Sequence, residues 1–193
     1  MGLLESVLHV APVMPVVVIE DARHAVSLAR ALVAGGIPAI EITLRTRAAL
    51  DAVRAIANEV DGAIVGVGTV RKPQDLKDAE AAGARFAVSP GATPDLIAAA
   101  KDSALPWLPG AGTASEAMTL SEHGFIFQKF FPAEAAGGAP ALRSLHGPLP
   151  EIRFSATGGI GAHNARDYLA TPNVACDGVS HEPPTQATFG VAR

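Results

Sequence analysis

Short runs rich in Val, Ile and Phe recur along the chain, and between them lie Ala-rich stretches whose apolar positions repeat with helical period. Such alternation predicts parallel strands joined by helices, because each strand–helix unit buries one apolar face against the next. The strand candidates are 13–19, 39–44, 63–69, 86–90, 105–110, 125–131, 152–157 and 174–176, eight in all. Helices are expected at about 22–34, 47–59, 73–82, 94–101, 114–123, 139–145 and 162–169. Gly35-Gly36, Gly83 and Gly124 stand where a left-handed residue would close a helix. Eight strands at this spacing suggest a closed (β/α)8 TIM barrel rather than an open sheet. A short helix at about 3–9 precedes the first strand and is placed to plug the barrel's lower end.

A length of 193 residues suits a single domain, 1–193. The net charge of -4, with no run of Lys or Arg, argues against nucleic acid or a membrane surface as partner and favours a small molecule. Cys176 is the lone cysteine, so no internal disulfide can form, and no Cys and His set at zinc-ligand spacing is present. No basic region precedes an apolar one at the N-terminus, and no apolar run is long enough to span a bilayer. A cytoplasmic protein is expected.

In such a barrel, catalytic groups stand at the C-terminal ends of strands and on the loops that follow. Lys129 lies there, inside the apolar run Phe125-Ile126-Phe127-Gln128-Lys129-Phe130-Phe131, whereas Lys72, Lys77 and Lys101 fall on polar helix faces or ends. Loss of water disfavours the charged form of an amine, and a neutral amine can attack a ketone to form a Schiff base. The same segment suits a buried stem whose head snorkels to water or pairs with Glu134. In the second strand Glu41, Thr43 and Arg45 alternate with Ile40, Ile42 and Leu44, which puts three polar groups on the face expected to point inward. Glu41 with Arg45 would serve equally as an internal ion pair. Thr69, Ser89-Pro90-Gly91, Pro109-Gly110 and Thr157-Gly158-Gly159 each read as a strand end. The last is a glycine-rich turn leading to a helix start, able either to turn N–H groups toward an anion or simply to turn the chain.

Five strings, Glu41-Ile-Thr-Leu-Arg45-Thr46, Gly66-Val-Gly-Thr69, Val88-Ser-Pro-Gly91, Lys129-Phe-Phe-Pro-Ala-Glu134 and Thr157-Gly-Gly-Ile160, occur in this order. Together they resemble the 2-keto-3-deoxy-6-phosphogluconate (KDPG) and 4-hydroxy-2-oxoglutarate (KHG) aldolase family, the class I aldolases of the Entner–Doudoroff type, in register from about residue 10 to 176. The resemblance implies a homotrimeric barrel, free of cofactor, that cleaves the phosphorylated keto acid to pyruvate and D-glyceraldehyde 3-phosphate. It implies that Lys129 forms the Schiff base and Glu41 moves protons. Arg45 and Thr69 would hold the keto-acid carboxylate, Pro90 and Thr157 would also touch substrate, and Gly158 and Gly159 would bind phosphate. The chemistry is consistent, since aldol cleavage needs an electron sink, a base and a cation for the carboxylate. A protonated Schiff base does the work that a divalent metal would do as Lewis acid.

The C-terminus departs from the family's pattern, a Gly-Gly-Ser-Trp-like phosphate loop and a closing helix. Here the chain reads Cys176-Asp177-Gly178-Val179-Ser180-His181-Glu182-Pro183-Pro184. Ser180 would match the phosphate-binding serine and His181 the tryptophan. Two adjacent prolines exclude a helix, and without apolar period 177–193 is expected to be an irregular tail, an eighth unit altered or truncated. Two readings follow: an active Schiff-base aldolase, or a barrel that binds a keto acid or sugar phosphate with impaired catalysis. Within the enzyme class the alternatives are aldolases for 4-hydroxy-2-oxoglutarate and for 2-dehydro-3-deoxy-6-phosphogalactonate.

Overall fold

All strand pairings are parallel in the computed structural model, which describes residues 2–180. Helix α1 (Leu3–His9) leads into β1 (Val13–Val17), α2 (Ala25–Ala34), β2 (Ala39–Thr43), α3 (Ala49–Glu59) and β3 (Ile64–Gly68). Then come α4 (Pro73–Ala81), β4 (Ala87–Val88), α5 (Pro94–Asp102), the short strands β5 (Trp107–Leu108) and β6 (Gly110–Ala111), and α6 (Ala114–Glu122). The remaining elements are β7 (Phe127–Phe130), α7 (Gly138–His146), β8 (Arg153–Thr157), α8 (Ala165–Leu169) and β9 (Val174–Ser180).

The strand order is β5-β4-β3-β2-β1-β9-β8-β7-β6, so the two ends of the sheet are β5 and β6. Only Pro109 separates them. They are halves of one strand, and the sheet therefore closes on itself as an eight-stranded barrel. Proline has no N–H to give a ladder, which explains the break. Below it Leu108 is in register with Val88 of β4; above it Gly110 is in register with Lys129 of β7. The Pro109 carbonyl still accepts from the Lys129 N–H at 2.7 Å. The (β/α)8 barrel expected from the alternation of elements is the observed fold.

Period two sorts each strand's side chains between two cores. Outward residues such as Ile40, Ile42, Val65, Val67, Phe130 and Phe154 pack against helix residues that include Val53, Ile56, Leu76, Leu120 and Leu142. Inward residues Met14, Phe86, Val88, Leu108 and Cys176 form a smaller cluster with Val7 and Leu8 of α1, which plugs the lower end as expected. Among the described residues no helix is long and apolar enough to cross a membrane.

Every strand is bounded somewhat differently from the sequence reading, most of them by trimming of one or two residues at an end, and the fourth and the last are the cases that bear on the site. The fourth strand is confined to Ala87–Val88. The last strand does not stop at Cys176: Asp177 to Ser180 continue it, in register with Val13 to Val16 of β1. Residues 177–180 are therefore barrel wall, not irregular tail. Asp177-Gly178 has turn-like composition, but barrel closure offers it hydrogen-bond partners on both sides, and Gly178 is required by space. A Cβ there would lie 2.2 Å from the Thr157 hydroxyl oxygen. The remainder of the expected tail, 181–193 with Pro183-Pro184, lies outside the described residues.

Candidate active site

Above the plug, β2 and β7 face each other across the barrel and carry, among the described residues, the acid–base pair of its interior, Glu41 and Lys129. Glu41 and Lys129 are 88 positions apart in sequence, yet Lys129 Nζ donates to Glu41 Oε1 at 3.4 Å. Their side chains are only 7% and 3% exposed for Lys129 and Glu41 respectively. The Lys129 ammonium also lies 5.4 Å from the centre of the Phe131 ring, within cation–π range. Glycine makes the space for this pair. A Cβ on Gly68 would come 1.9 Å from Glu41 Oε1, and one on Gly66 would strike the Phe86 ring at 2.5 Å. The ion pairs considered from sequence are not formed: Glu41 pairs with Lys129 rather than Arg45, and Glu134 accepts from the Tyr168 hydroxyl rather than from Lys129.

Arg45 and Thr69 meet at the rim, where Arg45 Nε donates to Thr69 Oγ1 at 3.3 Å. Thr69 has φ 63, a left-handed backbone that is unfavourable for a β-branched residue. Strain at such a position is kept where surrounding structure dictates it, and here it turns the hydroxyl toward the guanidinium. Thr43, inward like Glu41, is used structurally and donates to the Val17 carbonyl at 3.2 Å. Pro90 is exposed, and its main chain lies close against Gly110, on which a Cβ would come 2.4 Å from the Pro90 carbonyl. An open cavity at this rim is lined by Pro90, Gly112, Thr113, Phe131 and Pro132, but neither Lys129 nor Glu41 lines it.

At the end of β8, Thr157 is buried and faces inward, and the chain then turns through Gly158 (φ 104) and Gly159 (φ 79). Both values are ones that glycine adopts without penalty. Asn164 braces the turn: its Nδ2 donates to the Gly159 carbonyl at 3.1 Å and its Oδ1 accepts from Gly161 N–H at 2.9 Å. Among the described residues the N–H groups of Gly159 and Ile160 meet no acceptor. Ser180 ends the adjacent strand β9, so the turn and Ser180 lie on neighbouring strand ends.

Several features escaped sequence reasoning. Gly68 and Gly178 act as spacers for Glu41 and Thr157, a role that only the folded distances reveal. Cys176 is fully buried; burial pushes its thiol up to about 12, and it donates to Ser155 Oγ at 3.3 Å. Asp177 faces away from the barrel interior, and neither carboxylate oxygen has a partner among the described residues. Burial pushes its carboxyl up to about 7. Among the described residues no group of three or more His, Cys, Asp or Glu side chains comes together in a way that could hold a metal ion.

Residues 4–187 match the family model described as "Aldolase: KDPG and KHG aldolase". The chain belongs to the KDPG and KHG aldolase family. It is 51% identical over 183 residues to the KHG/KDPG aldolase of Escherichia coli strain K12, covering 95% of this chain and 86% of that one. Among solved members of the family, the Legionella pneumophila KDPG aldolase, with pyruvate captured as a covalent carbinolamine, superposes with a TM-score of 0.88. It is 45% identical and covers 90% of this chain and 84% of its own. The Zymomonas mobilis KDPG aldolase, solved with 3-phosphoglycerate, superposes with a TM-score of 0.90 at 45% identity, covering 95% of this chain and 87% of that one.

Proposed function

We propose that this family member is a class I aldolase that cleaves 2-dehydro-3-deoxy-6-phosphogluconate to pyruvate and D-glyceraldehyde 3-phosphate. The observation that carries the reading is the Lys129 amine set 3.4 Å from the Glu41 carboxylate in the buried interior. Lys129 adds to the C2 ketone, and the carbinolamine loses water to give a protonated imine. Glu41, acting through a water, takes the proton of the C4 hydroxyl. The C3–C4 bond then breaks, its electron pair moves toward the imine nitrogen as an enamine, and C4 leaves as the aldehyde. A proton returned to C3 gives the pyruvate imine, and water hydrolyses it to free pyruvate and Lys129.

Arg45 and Thr69 hold the keto-acid carboxylate, with Pro90 and Thr157 lining the path of the substrate. The Gly158-Gly159 turn, where the N–H groups of Gly159 and Ile160 meet no acceptor among the described residues, and the Ser180 hydroxyl take the distal phosphate. The covalent pyruvate adduct of the Legionella relative supports the lysine chemistry, and 3-phosphoglycerate in the Zymomonas relative, one oxidation level above the aldehyde product, supports the three-carbon phosphate end. The name of the Escherichia coli relative covers KHG as well, so 4-hydroxy-2-oxoglutarate, whose C4 bears a carboxylate in place of the phosphorylated two-carbon arm, is the second substrate to assay. The protein works in the cytoplasm as a homotrimer, an assembly that light scattering tests directly.

The decisive experiment is borohydride reduction in the presence of pyruvate, read by intact mass and peptide mapping. The wild-type chain is expected to gain a stable pyruvyl adduct on Lys129, and Lys129→Ala to lose both the adduct and cleavage while its circular dichroism is unchanged. An adduct on Lys72, Lys77 or Lys101 instead would overturn the assignment.

A further inference from the structure

Glu134 is an exposed carboxylate that none of the chemical steps above uses, yet it is tied to the glycine turn by two contacts and to α8 by a third. Its backbone N–H donates to the Gly158 carbonyl at 3.0 Å, next to the bond from Ala133 N–H to the Thr157 carbonyl at 2.7 Å. Its side-chain stem lies directly against Gly159, where a Cβ would come 2.6 Å from Glu134 Cγ and 2.8 Å from Cβ. Its carboxylate accepts from the hydroxyl of Tyr168, which is 1% exposed in α8. Burial and the neighbouring Glu134 carboxylate raise the phenol well above its ordinary range, so it stays protonated and donates. A flexible glutamate stem on the surface would sweep many rotamers; one fixed at its tip by a buried hydroxyl presents a constant wall to the turn.

We propose that Tyr168 is a positioning residue which, through Glu134, keeps the Gly158-Gly159 turn in the shape that receives the distal phosphate, and so sets the preference for a phosphorylated over an unphosphorylated substrate. The proposal rests on the assignment of this turn to the phosphate. Asn164 braces one side of the turn, and the Tyr168–Glu134 pair braces the other. Neither Tyr168 nor Glu134 touches Lys129 or Glu41, so the carboxylate and Schiff-base end of the site is independent of them.

Tyr168→Phe keeps the buried ring and removes only the hydroxyl. The KM for the phosphorylated substrate and the inhibition constant for inorganic phosphate are both expected to rise about tenfold, with kcat held within about twofold. Exchange of the pyruvate methyl protons and cleavage of 4-hydroxy-2-oxoglutarate should stay at the wild-type rate. Glu134→Ala should reproduce the phosphate defect, and Glu134→Gln, whose amide oxygen still accepts from Tyr168, should restore most of the phosphate response. These surface variants also keep the test open if Tyr168→Phe folds poorly. Unchanged phosphate parameters in Tyr168→Phe and Glu134→Ala, or a loss that extends equally to pyruvate exchange, would overturn the proposal. A wild-type protein that ignores inorganic phosphate and does not prefer the phosphorylated substrate would instead remove the turn from the phosphate site, and the proposal with it. That result would leave the Lys129 adduct standing.

Discussion

Glu41 and Thr69 show how single residues are held for their tasks by atoms that are missing or displaced around them. Glu41 occupies the space that a side chain at Gly68 would fill, and its oxygen reaches the Lys129 amine. Glu41→Gln should preserve borohydride trapping yet slow cleavage by roughly two to four orders of magnitude, as expected for the loss of a group that moves protons. Proton exchange at the pyruvate methyl, followed by NMR, is the direct check, and exchange at the wild-type rate would remove Glu41 from the reaction. Thr69 presents a different balance. Its left-handed backbone costs on the order of 1–3 kcal/mol, and asparagine adopts that conformation more readily. Thr69→Asn is therefore expected to raise the unfolding free energy by about 1 kcal/mol in denaturant melts. The KM for pyruvate in the exchange assay should rise in the same variant, because the hydroxyl facing Arg45 is lost. A variant that is no more stable than wild type would show that surrounding contacts fully compensate the strain.

Strand β9 illustrates what one acidic residue does to an element. Asp177 lies on its outward face, buried, with both oxygens unpaired among the described residues and its carboxyl pushed up to about 7 from an ordinary 3.8. Because the folded protein binds this proton more tightly than the unfolded chain, the sign of the pH effect is fixed. Below 3.8 the carboxyl is neutral in both states and costs little; between 3.8 and about 7 stability falls as pH rises; above about 7 the full penalty applies. Thermal melts across this window should show a loss of stability in the wild type that is absent from the near-isosteric Asp177→Asn. Asp177→Val should gain about 1–3 kcal/mol at neutral pH, the usual cost of an unsatisfied buried polar group. The same strand marks the limit of what could be read in advance. Strands and helices with a clear apolar period, such as Ala39–Thr43 and Ala49–Glu59, were legible because their burial is written in their own residues. The continuation from Asp177 to Ser180 was not, because its hydrogen-bond partners belong to β1 and β8. At the site, the residue types and strand-end positions of Lys129, Glu41, Arg45, Thr69 and Thr157 were legible. The partner of each charge was not, since a pairing between β2 and β7 depends on how the barrel closes. Tyr168 carried no signal beyond its place in an amphipathic segment.

For the molecule as a whole, the barrel interior divides into a lower apolar layer and an upper chemical one. Val7 and Leu8 of α1 close the lower layer against Met14, Phe86 and Leu108, and Leu8 is fully buried. Leu8→Ala should cost about 2–5 kcal/mol and lower the melting temperature accordingly. Below that temperature, pyruvate trapping on Lys129 and methyl exchange should remain at the wild-type level, because the deleted atoms touch only the plug's side of the interior. Loss of trapping in the folded variant would mean that the two layers are mechanically coupled. The seam at Pro109 belongs to the same scale, since one interrupted strand serves β4 with its lower half and β7, the strand of the reactive lysine, with its upper half.

The inward glycines carry a consequence for descent. Gly66, Gly68, Gly110 and Gly178 stand where even a methyl group would collide with an aromatic ring, a carboxylate, a main-chain carbonyl or a hydroxyl. Alanine, elsewhere the gentlest of replacements, is therefore a severe one at these places, and drift through them is closed unless the opposing group changes at the same time. A lineage that abandoned the reaction would be released from that restriction first at Gly68, whose nearest obstacle is the Glu41 side chain, and last at Gly110, which is pressed against backbone. The order in which these four positions fill among distant relatives would thus date the loss of chemistry separately from the loss of the barrel.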